Sequence, residues 1–101
     1  MKLVFSSVFE SDLAELAGYF SAQAGAEVSA KFETEICRLL DLIDDQPEIG
    51  RVRRDLKPEG VRSFVVPHFR NYVLFYQIAG DDLKILRVHF GGMDLPSLFH
   101  S

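Results

Sequence analysis

Residues 69–90, with the sequence FRNYVLFYQIAGDDLKILRVHF, decide the fold because they contain two strand-like runs joined by a turn. Val, Ile, Tyr, Phe and Leu dominate both runs, and the intervening Gly80-Asp81-Asp82 is typical of a tight turn. A third run with alternating polarity lies just upstream and is separated from the first by Pro67-His68. The sequence therefore predicts a three-stranded antiparallel meander, with strands at about residues 60–66, 69–78 and 83–90.

Two amphipathic helices are predicted upstream of this meander. Ser7-Val8-Phe9-Glu10 fits a capping box, so the first helix should begin at Ser7. Apolar residues then recur at steps of three and four as far as Gly25, which can end a helix in the left-handed conformation. A second pattern of the same kind follows and should stop near Gln46, because Pro47 disfavours helical geometry in the residue before it.

The opening residues 2–6 are too few for a helix and predict a strand that joins one edge of the sheet. The expected class is therefore α+β: an N-terminal strand, an antiparallel helical hairpin and the meander, in the order β-α-α-β-β-β, with the helices on one face of a four-stranded sheet. Alternation along the last strand places Leu86, Val88 and Phe90 on the side of the helices. Because the helices form a single layer, we expect about half of the sheet, namely its other face, to be open and available to a protein partner.

Composition bounds the class of protein. The 101 residues are expected to form one domain, residues 1–101, and the 48% of hydrophobic residues is typical of a chain with a packed core. No apolar run approaches the roughly 18 residues that span a bilayer, and no secretory signal is recognisable, so a cytoplasmic protein without membrane contact is predicted. One cysteine and no Cys or His cluster predict that the chain has no internal disulfide, no metal site and no cofactor.

Charge is distributed unevenly along the chain. Residues 1–50 carry three Lys or Arg against ten acids, a balance of −7, whereas residues 51–101 carry eight against five, a balance of +3, which together give the net charge of −4. This total argues against a dedicated nucleic-acid binder, which needs clustered cations. The cations of the second half concentrate in residues 51–70 and can attract an acidic partner. The alternative is a solvated loop whose Arg side chains pair with the acidic helices.

No arrangement in the chain predicts a catalytic residue. Ser and Cys do not occur in a nucleophile-elbow setting. His89 shares a strand with Arg87 and could act as an acid or base, but an ordinary, partly exposed histidine is the commoner case. Tyr72 and Tyr76 could likewise serve as acids or stack on bases, although such residues are usually packing residues with a solvated hydroxyl.

Several short strings in this order resemble the ParE branch of the ParE/RelE toxin superfamily of bacterial toxin-antitoxin systems. The resemblance covers nearly the whole chain, and the spacing of the strings is more specific than any one of them. They are Ser11-Asp12-Leu13 with Tyr19-Phe20, Pro47-Glu48-Ile49-Gly50-Arg51, Gly60-Val61-Arg62-Ser63-Phe64, Tyr72-Val73-Leu74-Phe75-Tyr76, Ile85-Leu86-Arg87-Val88 and Met93-Asp94-Leu95.

The resemblance also favours one function within the superfamily. RelE-like members use Arg side chains on the central and last strands and a Tyr near the C-terminus to cleave RNA on the ribosome. This chain has Val73 and Met93 at the two Arg positions and no Tyr after Tyr76. The resemblance therefore implies a ParE-like toxin and favours a non-enzymatic poison of DNA gyrase over an enzyme. The alternatives are a ribosome-dependent mRNA endonuclease and a non-toxic relic that still binds its antitoxin.

A ParE-like toxin implies a cognate ParD-like antitoxin as its partner, with contact to nucleic acid only indirectly through that antitoxin. The residues expected at or near the antitoxin interface are Arg51, Arg53, Arg62, Tyr72, Tyr76 and Arg87. Family precedent places target contacts partly in the C-terminal segment, at Met93, Asp94, Leu95, Leu98 and Phe99. The alternative for these apolar residues is that they dock the tail onto the core.

Overall fold

The computed structural model describes residues 1–91 and confirms the predicted α+β class. A short strand comes first, two helices follow it, and an antiparallel meander ends the described part of the chain. The elements are β1 (Lys2–Phe5), α1 (Ser7–Ala24), α2 (Ala26–Asp45), β2 (Arg51–Val52), β3 (Val61–Val65), β4 (Tyr72–Ala79) and β5 (Asp82–Phe90).

The helix ends follow the predicted signals with one shift. The N-cap of α1 is Ser6 rather than Ser7, because the Ser6 hydroxyl oxygen accepts the Phe9 N–H at 2.9 Å and the same hydroxyl donates to the Leu86 carbonyl at 2.8 Å. Gly25, with φ 96°, separates the two helices as expected. The predicted stop near Gln46 is confirmed, since α2 ends at Asp45 with Gln46 as its C-cap.

Within the described residues the sheet has five strands in the order β1-β5-β4-β3-β2, so the predicted four-stranded sheet was one strand short. The added strand, β2, is a two-residue edge strand that pairs antiparallel with β3, with Arg51 opposite Ser63 and Val52 opposite Arg62. At the opposite edge, β1 runs parallel to β5 and pairs with it as far as Ile85, which lies opposite Phe5. Two residues inside an Arg-rich stretch carry no periodic signal, and for this reason the sequence did not reveal β2.

One side of the sheet and the helical hairpin form the main core. Aromatic rings join the layers: Phe20 of α1 lies 4.9 Å from Phe32 of α2 and 5.3 Å from Tyr72 of β4, between ring centroids. Other fully or almost fully buried members are Ile36, Leu39, Ile43, Leu74, Tyr76, Leu83, Ile85 and Val88. Within residues 1–91, neither helix is long and apolar enough to span a membrane.

The opposite face of the sheet is less open than predicted. Leu56, in the loop between β2 and β3, packs with Val61 and Phe75 in a second buried cluster that also contacts Leu86. A bulge where β5 passes Phe75 and Tyr76 places Leu86 in this cluster, whereas Ile85 and Val88 belong to the helix-side core. The expectation that Leu86 faces the helices was therefore wrong, because strict alternation ignores bulges.

Candidate functional site

The six side chains predicted at the partner interface fall into two groups on the sheet. Arg51, Arg53 and Arg62 lie at or beside the β2 edge, and Tyr76 lies opposite Arg62 on β4. Tyr72 and Arg87 lie towards the other end of β4 and on β5, where the sheet meets α1. The predicted residues therefore do not form one continuous patch, and each group has its own structural context.

Tyr76 supports the β2 edge from inside the protein. Its side chain is fully buried, and its hydroxyl donates to the Pro47 carbonyl and accepts the Gly50 N–H, both at 2.8 Å. Burial raises the pKa of Tyr76, and the Gly50 N–H and Arg62 oppose that rise. A Cβ on Gly50 would come within 2.5 Å of the Tyr76 hydroxyl oxygen, so this close approach requires glycine. Because it is fully buried, the Tyr76 side chain cannot contact a partner directly.

Arg62 holds the same loop from its exposed side. The Nη1 atom of Arg62 donates to the Glu48 carbonyl at 3.0 Å and to the Gly50 carbonyl at 2.8 Å. A guanidinium group that serves two main-chain carbonyls stabilises one loop conformation. Because residues 47–50 lead straight into β2, Tyr76 and Arg62 together set the position of Arg51.

The two remaining arginines at this edge differ in their partners. Arg53 donates from Nε and Nη2 to the two carboxylate oxygens of Asp55 at 2.9 and 2.7 Å, and from Nη1 to the Ser63 hydroxyl at 3.4 Å. This pairing lowers the pKa of Asp55. Arg51 is exposed, and within residues 1–91 its guanidinium group makes no hydrogen bond or ion pair. Among these arginines, Arg51 is therefore the one whose guanidinium group can bind a partner without losing an internal contact.

Arg87 is bound into the fold by Asp12 of α1. Its Nε and Nη2 donate to the two Asp12 carboxylate oxygens at 3.0 and 2.8 Å, and one of these oxygens also accepts the Val88 N–H at 3.3 Å. This hydrogen bonding raises the pKa of Arg87. Because β1 pairs with β5 only as far as Ile85, Asp12 satisfies an edge amide that no strand covers. Arg87 thus has a structural role besides any contact with a partner.

Tyr72 belongs to an aromatic surface at the junction of α1, β4 and β5. Its ring contacts Phe20 and Phe90 at centroid distances of 5.3 and 5.9 Å, and burial, with a contribution from Tyr19, raises the pKa of Tyr72. Tyr19 and Phe90 themselves are largely exposed. Half-buried rings beside exposed ones are typical of protein interfaces.

A groove lies between α1 and α2, and the sequence did not predict it. It has a volume of about 490 Å³, and among the described residues its lining is apolar except for Glu10 and Glu33. Ala14 and Ala17 of α1 and Leu40 of α2 contribute to the lining. Ala17 and Leu40 belong to the same apolar periodicity that predicts the buried faces of the helices, so the sequence pattern does not distinguish groove-lining residues from core residues.

Within residues 1–91, the end of the meander is formed by β4 and β5. β4 has no cationic residue, and Val73 lies against Gly91, where an added Cβ would meet its Cγ2 at 3.0 Å. His89 Nδ1 accepts the Phe90 N–H at 2.9 Å. The described residues also contain no group of side chains that could hold a metal ion. The predicted target contacts Met93, Asp94, Leu95, Leu98 and Phe99 lie outside the described residues.

A sequence model of one protein family, described as the ParE toxin of the type II toxin-antitoxin system parDE, matches residues 3–95. The chain belongs to the ParE toxin family. Two solved structures share the ParE fold at 19% sequence identity. A chain of the chromosomal ParDE TA system from P. aeruginosa superposes with a TM-score of 0.75. The superposition covers 89% of this ParE chain and 95% of the P. aeruginosa chain. A YoeB/ParE toxin from Agrobacterium tumefaciens gives a TM-score of 0.61, with 89% and 98% covered. No curated protein sequence matches this chain.

Proposed function

We propose that this chain is a non-enzymatic toxin that poisons DNA gyrase in the cytoplasm and is neutralised by direct binding of a ParD-like antitoxin. The observation that carries the proposal is the family match over residues 3–95, which includes every helix and strand of the described residues except Lys2 of β1. Membership of a toxin-antitoxin family supports the existence of an antitoxin partner. The choice of target and of binding surface rests on the geometry of the sheet.

The composition of β4 and β5 favours gyrase over RNA as the target. RNA cleavage needs cations that stabilise charge at the phosphate and a group that removes the 2′-hydroxyl proton. β4 carries Val73 where a nuclease of this superfamily has a cation, and Val73 packs beside the second buried cluster. Arg87, the arginine of β5, is already engaged by Asp12. This arrangement suits a binding surface better than a nuclease centre.

The β2 edge is the surface we assign to the antitoxin. Arg51 and Val52 are exposed on the terminal strand of the sheet, where main-chain groups can pair with an added extended segment. Arg51 would attract a carboxylate of that segment without breaking an internal contact. Arg53 would first have to exchange Asp55, an exposed partner, for the carboxylate of the antitoxin.

Two assays on the purified chain test the target. We expect it to inhibit supercoiling by gyrase and to leave mRNA intact in a translation extract. Cleavage of mRNA at ribosomes would overturn the gyrase proposal in favour of a nuclease. Activity in neither assay would overturn it in favour of a non-toxic antitoxin-binding protein.

A charge reversal tests the antitoxin surface, with the product of the neighbouring reading frame as the candidate antitoxin. Arg51→Glu should weaken binding about three- to tenfold at about 0.05 M salt and much less at about 0.5 M. Lys84→Glu is the matched control, because Lys84 is also an exposed strand residue and undergoes the same change of charge. Equal effects of the two substitutions would show that Arg51 has no specific role.

A further inference from the structure

A cleft lies between α2 and the turn that joins β3 to β4. Its volume of about 620 Å³ is within the range of small-molecule sites. Four of its lining positions on α2 follow the spacing i, i+3, i+4 and i+7, so one face of the helix forms one wall of the cleft. These four residues are Lys31, Thr34, Glu35 and Arg38, and His68 and Phe69 line the cleft from the turn.

The cleft contains the cations of the helical hairpin. α1 has no Lys or Arg, and the two cations of α2, Lys31 and Arg38, both line the cleft. They are seven positions apart, which corresponds to about 10 Å along the helix axis. The hairpin otherwise carries acids, three in α1 and six in α2. The cleft is therefore the place on the hairpin where an anion is attracted rather than repelled.

Glu35 orients Arg38 and leaves part of its guanidinium group available. Glu35 is only 9% exposed, and its Oε1 atom accepts one hydrogen bond from Arg38 Nη1 at 3.1 Å. The Nε and Nη2 atoms of Arg38 make no hydrogen bond within residues 1–91. Lys31 is exposed and has no ion pair among the same residues. Because Arg38 balances the charge of Glu35, Lys31 gives the cleft a positive net charge.

The turn that forms the opposite wall is held in one conformation. Main-chain hydrogen bonds join the Phe69 N–H to the Val66 carbonyl at 3.1 Å, the Tyr72 N–H to the Phe69 carbonyl at 2.9 Å and the Val66 N–H to the Tyr72 carbonyl at 3.0 Å. Within this turn His68 has φ 67°, a left-handed conformation that few non-glycine residues adopt. The Phe69 ring packs 5.1 Å from the Phe32 ring, between centroids. A ligand would thus meet a wall that is ordered before it binds, which lowers the entropic cost of binding.

We propose that this cleft binds a small phosphorylated ligand of nucleotide size. Its phosphate oxygens would accept hydrogen bonds from the free guanidinium nitrogens of Arg38, the ammonium group of Lys31 and the imidazole of His68. Because the two α2 cations begin about 10 Å apart, each can bind its own phosphate group, which favours a ligand with two phosphates. The organic part would pack against the half-buried Phe69 ring. The inference is independent of the proposed function, because the cleft shares no lining residue with the β2 edge.

Isothermal titration calorimetry of the full chain with four probes tests the proposal: ADP, pyrophosphate, adenosine and a hexaglutamate peptide. At about 0.05 M salt ADP should bind at least about threefold more tightly than pyrophosphate and about thirtyfold more tightly than adenosine. Its affinity should fall about fivefold or more at about 0.5 M salt. Equal binding of ADP and either of its two parts, or no binding of ADP, would overturn the proposal. Tighter binding of hexaglutamate than of ADP would overturn it in favour of an acidic protein segment.

Three variants locate the binding of ADP. Lys31→Gln should weaken it about fivefold or more, and the fold should be unaffected because Lys31 has no internal ion pair within residues 1–91. Lys84→Gln, which makes the same change at an exposed strand position outside the cleft, should leave the affinity unchanged. His68→Gly removes the imidazole, accommodates the positive φ and should weaken binding about threefold. Equal affinities of the two lysine variants, or an unchanged affinity of His68→Gly, would overturn the assignment of this cleft.

Discussion

The ion pair between Asp12 and Arg87 should contribute measurably to the free energy of unfolding. Asp12 is only 5% exposed and accepts three hydrogen bonds, two from Arg87 and one from the Val88 N–H. Removal of one partner of a fully buried pair destabilises by about 3–5 kcal/mol. The Arg87 side chain is 19% exposed, so water can solvate part of its guanidinium group once Asp12 is removed. We therefore expect Asp12→Ala to lower the free energy of unfolding by about 2–3 kcal/mol.

A double-mutant cycle separates this pair from the packing of each side chain. Arg87→Ala should also cost about 2–3 kcal/mol, because it leaves a buried carboxylate with only the Val88 N–H and removes the packing of the aliphatic stem. The double variant should cost much less than the sum, with a coupling energy of about 2 kcal/mol. Urea denaturation followed by circular dichroism gives all four free energies, and Glu27→Ala, at an exposed position, serves as a control expected within about 0.5 kcal/mol of wild type. Additivity within about 0.5 kcal/mol would refute the reasoning.

Three further predictions concern the loop that Tyr76 anchors. Tyr76→Phe leaves the buried Gly50 N–H without its acceptor and should cost about 1–3 kcal/mol, measured as a lower urea midpoint at neutral pH. Because the pKa of Tyr76 is raised above its ordinary value of 10.0 in the folded state, the unfolded state loses the proton first. Stability should therefore be intact below pH 10.0 and decline above it, and Tyr76→Phe should show a smaller decline in the same titration. Gly50→Ala drives a methyl group against the Tyr76 ring and should cost about 1–3 kcal/mol by thermal unfolding, while Gly18→Ala, in open space on α1, should not destabilise.

The elements that the sequence predicted well are those with local causes. The stop of α2 depends on Pro47 and the break at Gly25 on one glycine, so both were visible in the residues themselves. Ser6 and Ser7 are the same residue type, so the sequence alone does not show which of them caps α1. The cap is decided by the Leu86 carbonyl, which lies 80 positions away in the sequence and holds the Ser6 hydroxyl. The pairing of β2 with β3 and the bulge near Leu86 also depend on a neighbouring strand, and no periodicity records them.

The candidate site shows the same division between local and distant causes. The Arg53–Asp55 pair spans two positions and follows from the sequence spacing, whereas Arg87 and Asp12 are 75 positions apart. A sequence shows where cations occur but not which of them the fold already employs. For that reason the predicted interface set mixed supporting residues, such as Tyr76, with residues available to a partner, such as Arg51.

The cationic stretch that starts at Arg51 therefore divides into two kinds of side chain. Arg62 binds the carbonyls of residues 48 and 50, and Arg53 binds Asp55, so a substitution at either position changes the loop as well as the charge. Arg51, Arg54 and Lys57 are exposed and make no hydrogen bond or ion pair within residues 1–91. Electrostatic attraction of an acidic partner should depend on these three without a matching loss of stability. A substitution that weakens the complex but leaves the urea midpoint unchanged then identifies a residue that contacts the partner. A substitution that lowers both the affinity and the urea midpoint identifies a residue that stabilises the loop.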